Sequence, residues 1–219
     1  MSAIAAIATP NASGGIGVIR ISGDAAISIA DKVFVSVSGK KLADIKGYTA
    51  LFGHIYENET IIDECVALVF RAPKSYTGED VVELSCHGGQ FVTQKVLRAV
   101  LASGARPAQA GEFTKRAFLN GKIDLAAAES VMALIGASGK QAAAAALNTL
   151  EGSLSREIKE VAQSIVSVCA SLAAWVDYPD EDIEDTSAQD MLPVFENAKK
   201  ELSDIIRRYD CGLYRIILF

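Results

Sequence analysis

Cysteine and histidine, which hold most protein-bound zinc, are scarce in this sequence. Among its 219 residues there are four cysteines and two histidines, and no two cysteines form a Cys-x-x-Cys pair. This pattern gives a structural zinc site little support, because the ligands of such sites usually come in closely spaced pairs. Widely spaced thiols are typical of proteins from a reducing compartment. We therefore expect no metal centre and a location in a reducing cytosol.

Long apolar runs are also missing. Every apolar run is interrupted before it reaches the roughly 18 residues that a membrane-spanning helix needs. The start of the chain lacks the charged segment and long apolar segment of a secretory signal. A composition with 50% hydrophobic and 22% charged residues predicts folded cores rather than a disordered chain. The sequence predicts a soluble, cytoplasmic protein with no membrane partner, built as one large or two small domains.

The chain has no excess of basic residues. Its formal net charge is −6, which excludes a phosphate-binding surface over the whole molecule but allows a local basic groove. The two halves differ, because residues 1–118 carry 12 basic and 11 acidic side chains while the remainder carries 9 basic and 16 acidic ones. The net charges of +1 and −7 that follow from these counts indicate two electrostatically different parts.

The first 118 residues have the pattern of a mixed α/β fold. Alternating or β-branched apolar residues predict strands over Ile16–Ser22, Thr49–Tyr56, Cys65–Phe70 and Val81–Cys86. The polar residues 57–60 would connect the second and third of these strands as a hairpin. Apolar residues at helical spacing predict helices over Asp24–Phe34 and Gly89–Ala102.

From Leu125 onward the composition changes to that of an alanine-rich helical region. Helical periodicity extends over Ala126–Leu150, Leu154–Val176 and Ser187–Tyr209, with breaks at Gly136–Gly139, at Gly152 and at residues 177–180. Long helices with short connections predict an antiparallel bundle. We place the domain boundary near Gly121. The broad apolar stripes of these helices predict that the helical half is the less stable one and self-associates.

Two glycine-rich segments suggest nucleotide binding and esterase chemistry, and the sequence argues against both. Gly14–Gly17 lacks the third glycine of a dinucleotide-binding loop, whose position Arg20 occupies, and it precedes a strand instead of opening a helix. The pattern G-x-x-x-x-G-K-[ST] does not occur, so we expect these residues not to bind GTP. His87–Gly89 is similar to an esterase oxyanion loop, but no G-x-S-x-G elbow accompanies it. We interpret Gly14–Gly17 as a flexible entry into a strand and His87 as a turn residue.

Three charged residues are candidates for ligand binding. Arg20 and Glu83 interrupt apolar strands, where an unpaired charge is costly to bury. Both are compatible with a solvent-facing position on a half-exposed strand, where Glu83 would balance a lysine. Alternatively, Arg20 presents its guanidinium to a carboxylate in a cleft, and Glu83 accepts paired hydrogen bonds from an aminopyrimidinone edge. Lys122 follows Gly121, the predicted C-cap of a short helix, and either complements the helix dipole or binds an anionic ligand tail.

Several longer motifs together resemble one family. They are Ile7–Pro10, Gly15–Gly23, Pro73–Asp80 with Glu83, His87–Gly89, Arg106–Pro107 and Gly111–Leu125. Through these motifs the chain resembles the bacterial tRNA-modification GTPases called MnmE or TrmE, over nearly its whole length to about Gly212.

The resemblance implies both a fold and a function. The implied fold is an α+β N-terminal domain, whose mixed sheet with helices is similar to the folate-binding domain of aminomethyltransferases, followed by part of an α-helical bundle. That domain is expected to form a homodimer and to bind 5-formyl- or 5,10-methylene-tetrahydrofolate. The implied folate contacts are Arg20, Glu83 and Lys122, and no catalytic residue is implied. The family acts with the flavin- and NADH-dependent partner MnmG to install a carboxymethylaminomethyl-type group at the wobble uridine of certain tRNAs.

The resemblance also has a limit near the end of the sequence. In the family, a GTP-binding domain that uses potassium and magnesium follows a segment similar to Asp210–Gly212, whereas residues 213–219 depart from the family pattern. A further folate contact of the family, in a Cys-containing tail motif, has no equivalent here. We therefore interpret residues 1–120 as a tetrahydrofolate-binding and dimerisation domain and residues 121–219 as the first half of the helical domain. Two alternatives are a stand-alone tetrahydrofolate-dependent one-carbon transferase and a purely structural dimerisation fragment.

Overall fold

The computed structural model describes residues 2–177 and 187–217, and the chain divides into two compact units, residues 1–123 and 124–219. The first unit is a sheet with helices and the second is helical. This arrangement confirms the predicted fold class of an α+β domain followed by helices. None of the described helices is both long enough and apolar enough to cross a membrane.

The first unit is built on one mixed sheet of seven strands in the described residues. The strands are β1 (Ile4–Ile7), β2 (Ile16–Ser22), β3 (Phe34–Ser36), β4 (Thr49–Glu57), β5 (Thr60–Phe70), β6 (Val81–His87) and β7 (Arg106–Pro107). Their order across the sheet is β3-β4-β5-β6-β2-β1-β7. All neighbouring pairs are antiparallel except β1 and β7, which are parallel.

Two helices, α1 (Ala26–Val33) and α2 (Gln90–Ala102), cover one face of this sheet. Their apolar residues share one buried cluster with Ile19 and Ile21 of β2 and with Leu84 of β6. Since successive side chains of a strand point to opposite faces, Arg20 and Glu83 lie on the other face. We call that face, on β2, β4, β5 and β6, the open face. The helix α3 (Glu112–Leu119) completes the first unit.

Strand prediction succeeded where the alternation of apolar residues is strong. Strand β2 has the predicted ends, and β6 is one residue longer than predicted. The prediction for β5 was five residues too short, because its first residues include Asp63 and Glu64. The hairpin is confirmed, with a turn in which Asn58 and Glu59 both have positive φ.

The second unit consists of four helices in its described residues. They are α4 (Leu125–Ile135), α5 (Lys140–Leu150), α6 (Ser153–Asp177) and α7 (Ala188–Ile217), and each packs against the next in sequence. The predicted break at Gly136–Gly139 separates α4 from α5. Residues 178–180 of the break predicted at 177–180 lie outside the described residues. Helix α7 continues eight residues beyond the predicted end at Tyr209.

Candidate functional site

Arg20 and Glu83 form an ion pair across the centre of the open face. They stand directly opposite each other in the register of β2 and β6. The Nε and Nη2 atoms of Arg20 lie 2.8 and 2.7 Å from Oε1 of Glu83. The two side chains are 29% and 21% exposed, so both remain accessible to a ligand. The partner of Glu83 is therefore an arginine on the neighbouring strand. It is not a lysine, which was the partner expected for a solvent-facing Glu83.

The geometry of this pair leaves part of the carboxylate available. Both contacts from Arg20 go to Oε1, and Oε2 of Glu83 has no hydrogen-bond partner within the described parts of the chain. A carboxylate oxygen has room for further N–H donors. The arginine thus fixes the orientation of Glu83 and leaves Oε2 available for a further N–H donor.

Two aromatic rings flank the Arg20 guanidinium. Its Cζ atom lies 5.5 Å from the ring centre of Tyr76 and 5.6 Å from that of Phe113, both within the range of a cation–π contact. Tyr76 belongs to the segment of residues 71–80, which we call the site loop, and Phe113 belongs to α3. A 2.8 Å hydrogen bond between Tyr76 Oη and Thr114 Oγ1 joins the site loop to that helix.

Lys122 lies against another part of the same loop. Its Nζ donates a 3.1 Å hydrogen bond to the carbonyl oxygen of Pro73. A Cβ atom on Gly78 would lie 3.1 Å from Cγ of Lys122, so the lysine stem packs against the loop backbone. Gly121 has φ +68°, and the backbone N–H of Lys122 bonds the carbonyl of Ala117, as in a Schellman cap. The backbone of Lys122 therefore caps α3, while its side chain reaches the site loop.

The structure brings Arg20 and Glu83 into direct contact and places Lys122 at the site loop. Within the described chain, Lys122 makes no hydrogen bond to Arg20 or to Glu83.

A cavity of about 600 Å³ opens beside this loop, lined by Asp24, Ala72, Gly78, Glu79, Asp80 and Asn120. No group of three or more potential metal ligands occurs in the described residues.

Sequence reasoning missed a buried charge cluster beneath the site loop. Glu79, Glu112 and Arg116 are all buried, and Arg116 forms ion pairs with both carboxylates. At the solvent side of the cluster, Arg106 also pairs with Glu112. Hydrogen bonds from Arg106 are the main cause that lowers the pKa of Glu112 to about 2, although burial acts in the opposite direction. The i, i+4 spacing of Glu112 and Arg116 was the one sequence signal that would have indicated part of it.

His87 is not the turn residue that the sequence suggested, because it ends β6. Its Nδ1 lies 2.7 Å from Oδ1 of Asp63, and its backbone N–H donates to Oδ2 of the same carboxylate. The hydrogen bond from Asp63 raises the pKa of His87. The adjacent Gly88 is in close contact with Gly14, since a Cβ atom on Gly88 would lie 2.6 Å from the carbonyl oxygen of Gly14.

Comparisons with known proteins agree with this architecture. A family model described as "GTP-binding protein TrmE N-terminus" matches residues 3–122, and one described as "MnmE helical domain" matches residues 125–215. The second match extends three residues beyond Gly212, where the sequence resemblance was expected to end.

Three curated relatives with high identity to the chain share one name. The chain is 45% identical over 209 residues to the tRNA modification GTPase MnmE of Clostridioides difficile, which covers 95% of this chain and 46% of that protein. It is 44% identical to the MnmE of Alkaliphilus metalliredigens, with the same coverage of both chains. For the Geobacillus kaustophilus protein the identity is 46%, over 90% of this chain and 42% of the relative. The chain thus spans less than half the length of these relatives.

Proposed function

The chain belongs to the MnmE (TrmE) family of tRNA modification GTPases, and we propose that its first unit binds a reduced folate that carries a one-carbon unit. The residues proposed to contact the folate are Arg20, Glu83 and Lys122. One observation carries this proposal: the Arg20–Glu83 pair lies on the open face with one carboxylate oxygen available and with Tyr76 and Phe113 beside it.

The chemistry of a reduced pterin suits this arrangement. Its aminopyrimidinone edge presents adjacent N–H donors, and the available Oε2 of Glu83 is an acceptor for them. Arg20 keeps that carboxylate oriented through its two contacts to Oε1. The Lys122 ammonium has three donors and gives one to the Pro73 carbonyl, so it retains capacity for an anionic folate tail. The folate, 5-formyl- or 5,10-methylene-tetrahydrofolate, would supply the one-carbon unit.

The first unit is further proposed to form a homodimer through its open face. Phe52 of β4 and Val66 of β5 are opposite each other in the register, and Ile16 of β2 lies on the same face. All three are large, apolar and exposed. An exposed apolar patch framed by polar residues is typical of an association surface, and a twofold interface pairs the same surface on both copies.

For the whole protein we propose the activity after which its relatives are named. Together with an MnmG-type flavoprotein it would modify the wobble uridine of tRNA in the cytoplasm, with GTP, potassium and magnesium used by a part that these 219 residues do not include. In that scheme the present chain is a folate-binding and dimerising module without a catalytic residue of its own.

Titration with 5-formyltetrahydrofolate by calorimetry tests the folate site. We expect the wild-type chain to bind and Glu83→Ala to bind about 5- to 150-fold more weakly, because pterin donors left without an acceptor cost about 1–3 kcal/mol. Glu64→Ala is the matched control, since Glu64 is an exposed glutamate on the neighbouring strand β5 and has no contact with Arg20. Equal affinities of wild type and Glu83→Ala would refute the assignment of Glu83.

A further inference from the structure

The buried charge cluster defined above requires a physical explanation. Arg116 is 3% exposed, Glu79 8% and Glu112 9%. Charges removed from water to this extent lose much of their hydration energy, and a buried ion pair is often no more stabilising than apolar side chains of similar size. Global stability is therefore a weak reason for placing an arginine and two glutamates at this position.

The cluster fixes one end of the site loop in space. Nη1 of Arg116 lies 3.1 and 2.9 Å from the two carboxylate oxygens of Glu79. Ser22 of β2 donates a 2.7 Å hydrogen bond to Oε2 of the same carboxylate. Glu79 is thus tied through its side chain both to α3 and to the sheet. Its backbone carbonyl also accepts a hydrogen bond from Ser75, which extends the constraint into the loop.

Residues 73–78 make the contacts between this loop and the candidate ligand residues. Tyr76 lies over Arg20, and the Pro73 carbonyl accepts from Lys122. Asn120 donates a 2.7 Å hydrogen bond to the carbonyl oxygen of Thr77, which follows Tyr76 in the loop. Glu79 therefore anchors the end of the segment that carries Pro73 and Tyr76.

We propose that Arg116 is a positioning residue for the folate site, which acts through Glu79 to hold the site loop against Arg20 and Lys122. This inference rests on the proposed folate-binding function. Arg116 itself is buried beneath the loop and is not assigned a ligand contact. Its role is to define the geometry of the site, and this role is separable from stability.

The experiment compares a double variant, Glu79→Met with Arg116→Met, with the control Arg106→Gln in the full 219-residue chain. The double variant replaces the pair by apolar side chains of similar length and leaves Glu112 paired with Arg106. The control removes an ion pair of the same cluster that does not contact the site loop. Three quantities are measured: amide hydrogen exchange of the ligand-free chain, affinity for 5-formyltetrahydrofolate, and the melting temperature.

In the double variant we expect the amides of residues 73–80 to exchange at least about tenfold faster than in wild type. The folate should bind at least about tenfold more weakly than to wild type, while the melting temperature should stay close to the wild-type value. The control should keep wild-type loop exchange and affinity. Wild-type loop exchange and affinity in the double variant would overturn the proposal. Equal losses of affinity in the control would also overturn it.

The double variant could fail to fold, or the wild-type chain could fail to bind the folate, and each case has its own readout. If the double variant does not fold, Glu79→Gln replaces it, because glutamine retains an acceptor for Ser22 but loses the charge. Faster loop exchange in Glu79→Gln supports the proposal, and unchanged exchange contradicts it. If the wild-type chain binds no 5-formyltetrahydrofolate, the proposed function fails, whereas loop exchange still decides whether Arg116 holds the loop.

Discussion

At the scale of single residues, two glycines of the sheet are required by space. A Cβ atom on Gly17 would lie 2.2 Å from Cγ2 of Thr93, and one on Gly53 would lie 2.2 Å from the carbonyl oxygen of Val35. Both distances are far below van der Waals contact. Only the first obstacle is a side-chain methyl group, which a second substitution can remove.

We expect Gly17→Ala to lower the free energy of unfolding by about 1–3 kcal/mol, the usual cost of overpacking a core. Adding Thr93→Ser should restore most of this loss, because serine lacks the clashing methyl group but keeps the hydroxyl that donates to the Gly89 carbonyl. Urea denaturation of both single variants and the double variant measures the effect. The control is Gly53→Ala, which Thr93→Ser should not rescue. A Gly17→Ala loss that persists in the double variant would contradict the steric explanation.

The ion pair between Arg106 and Glu112 makes stability depend on pH in a definite direction. Because hydrogen bonds from Arg106 lower the folded-state pKa of Glu112 from 4.5 to about 2, the pair stabilises the fold above pH 4.5. That contribution is lost as the pH falls from 4.5 towards 2. We expect Arg106→Gln to melt at a lower temperature than wild type near neutral pH, and the difference to shrink over this acid range. A difference that is constant with pH would show that the pair does not titrate as described.

At the scale of elements, the start of α4 depends on one cap. Oδ1 of Asp124 accepts a 2.9 Å hydrogen bond from the backbone N–H of Ala127. A hydrogen bond from Ser155 is the largest cause that lowers the pKa of Asp124, followed by the one from Ala127. We expect Asp124→Ala to destabilise the helical unit by about 1 kcal/mol, while Asp124→Asn, which keeps an acceptor, should have a much smaller effect. Thermal unfolding followed by far-ultraviolet circular dichroism measures both. Equal stabilities of the alanine and asparagine variants would argue against capping.

Some strands were predicted from the sequence and others were not, because local sequence determines the first group and tertiary pairing determines the second. Strand β2 was predictable because Val18, Ile19 and Ile21 already favour extended backbone. Strands β1, β3 and β7 are four, three and two residues long, too short to carry a periodic pattern. Their positions follow from pairing with β2, β4 and β1, which is a tertiary effect.

In the candidate site, too, some features could be predicted from the sequence and others depend on tertiary contacts. Arg20 and Glu83 could be selected from the sequence because a charge inside an apolar strand is costly unless it is paired. That they pair with each other became evident only from the register of β2 and β6. Arg116 gave no such signal, since an arginine in a short helix is usually exposed. Its buried position depends on partners distant in sequence, namely Glu79 of the site loop and the carbonyl oxygen of Ser2.

At the scale of the whole chain, the two units use their apolar residues differently. In the first unit, large side chains such as Ile4, Ile19, Ile21 and Leu84 are completely buried. Among the described residues of the second unit, the buried apolar ones are Ala127, Ala146, Val161, Val168 and Ala198, most of them small. Large apolar side chains there remain exposed, among them Met132, Ile135, Trp175, Leu192 and Ile206. The helical unit therefore gains less from the hydrophobic effect per residue than the sheet unit does.

We expect the helical unit of this chain to open more readily than the sheet unit and to drive association beyond a dimer. Its few buried apolar contacts should give faster amide exchange over residues 124–177 and 187–217 than over β2, β5 and β6. Its exposed apolar surface should produce species larger than a dimer in sedimentation velocity. Replacing both Met132 and Ile135 by lysine should remove these species and leave the dimer unchanged.

The matched control separates this association from the dimer proposed for the open face. Phe52→Asp places a charge on the exposed aromatic residue of β4 and should dissociate that dimer without suppressing association through the helices. Two results together would contradict this prediction: slow amide exchange along α7, and a sample that is strictly dimeric and becomes entirely monomeric in Phe52→Asp. They would mean that the four helices bury enough apolar surface to be stable alone. The exposed residues of α4 would then be ordinary surface positions, and the difference in burial between the two units would not be a difference in stability.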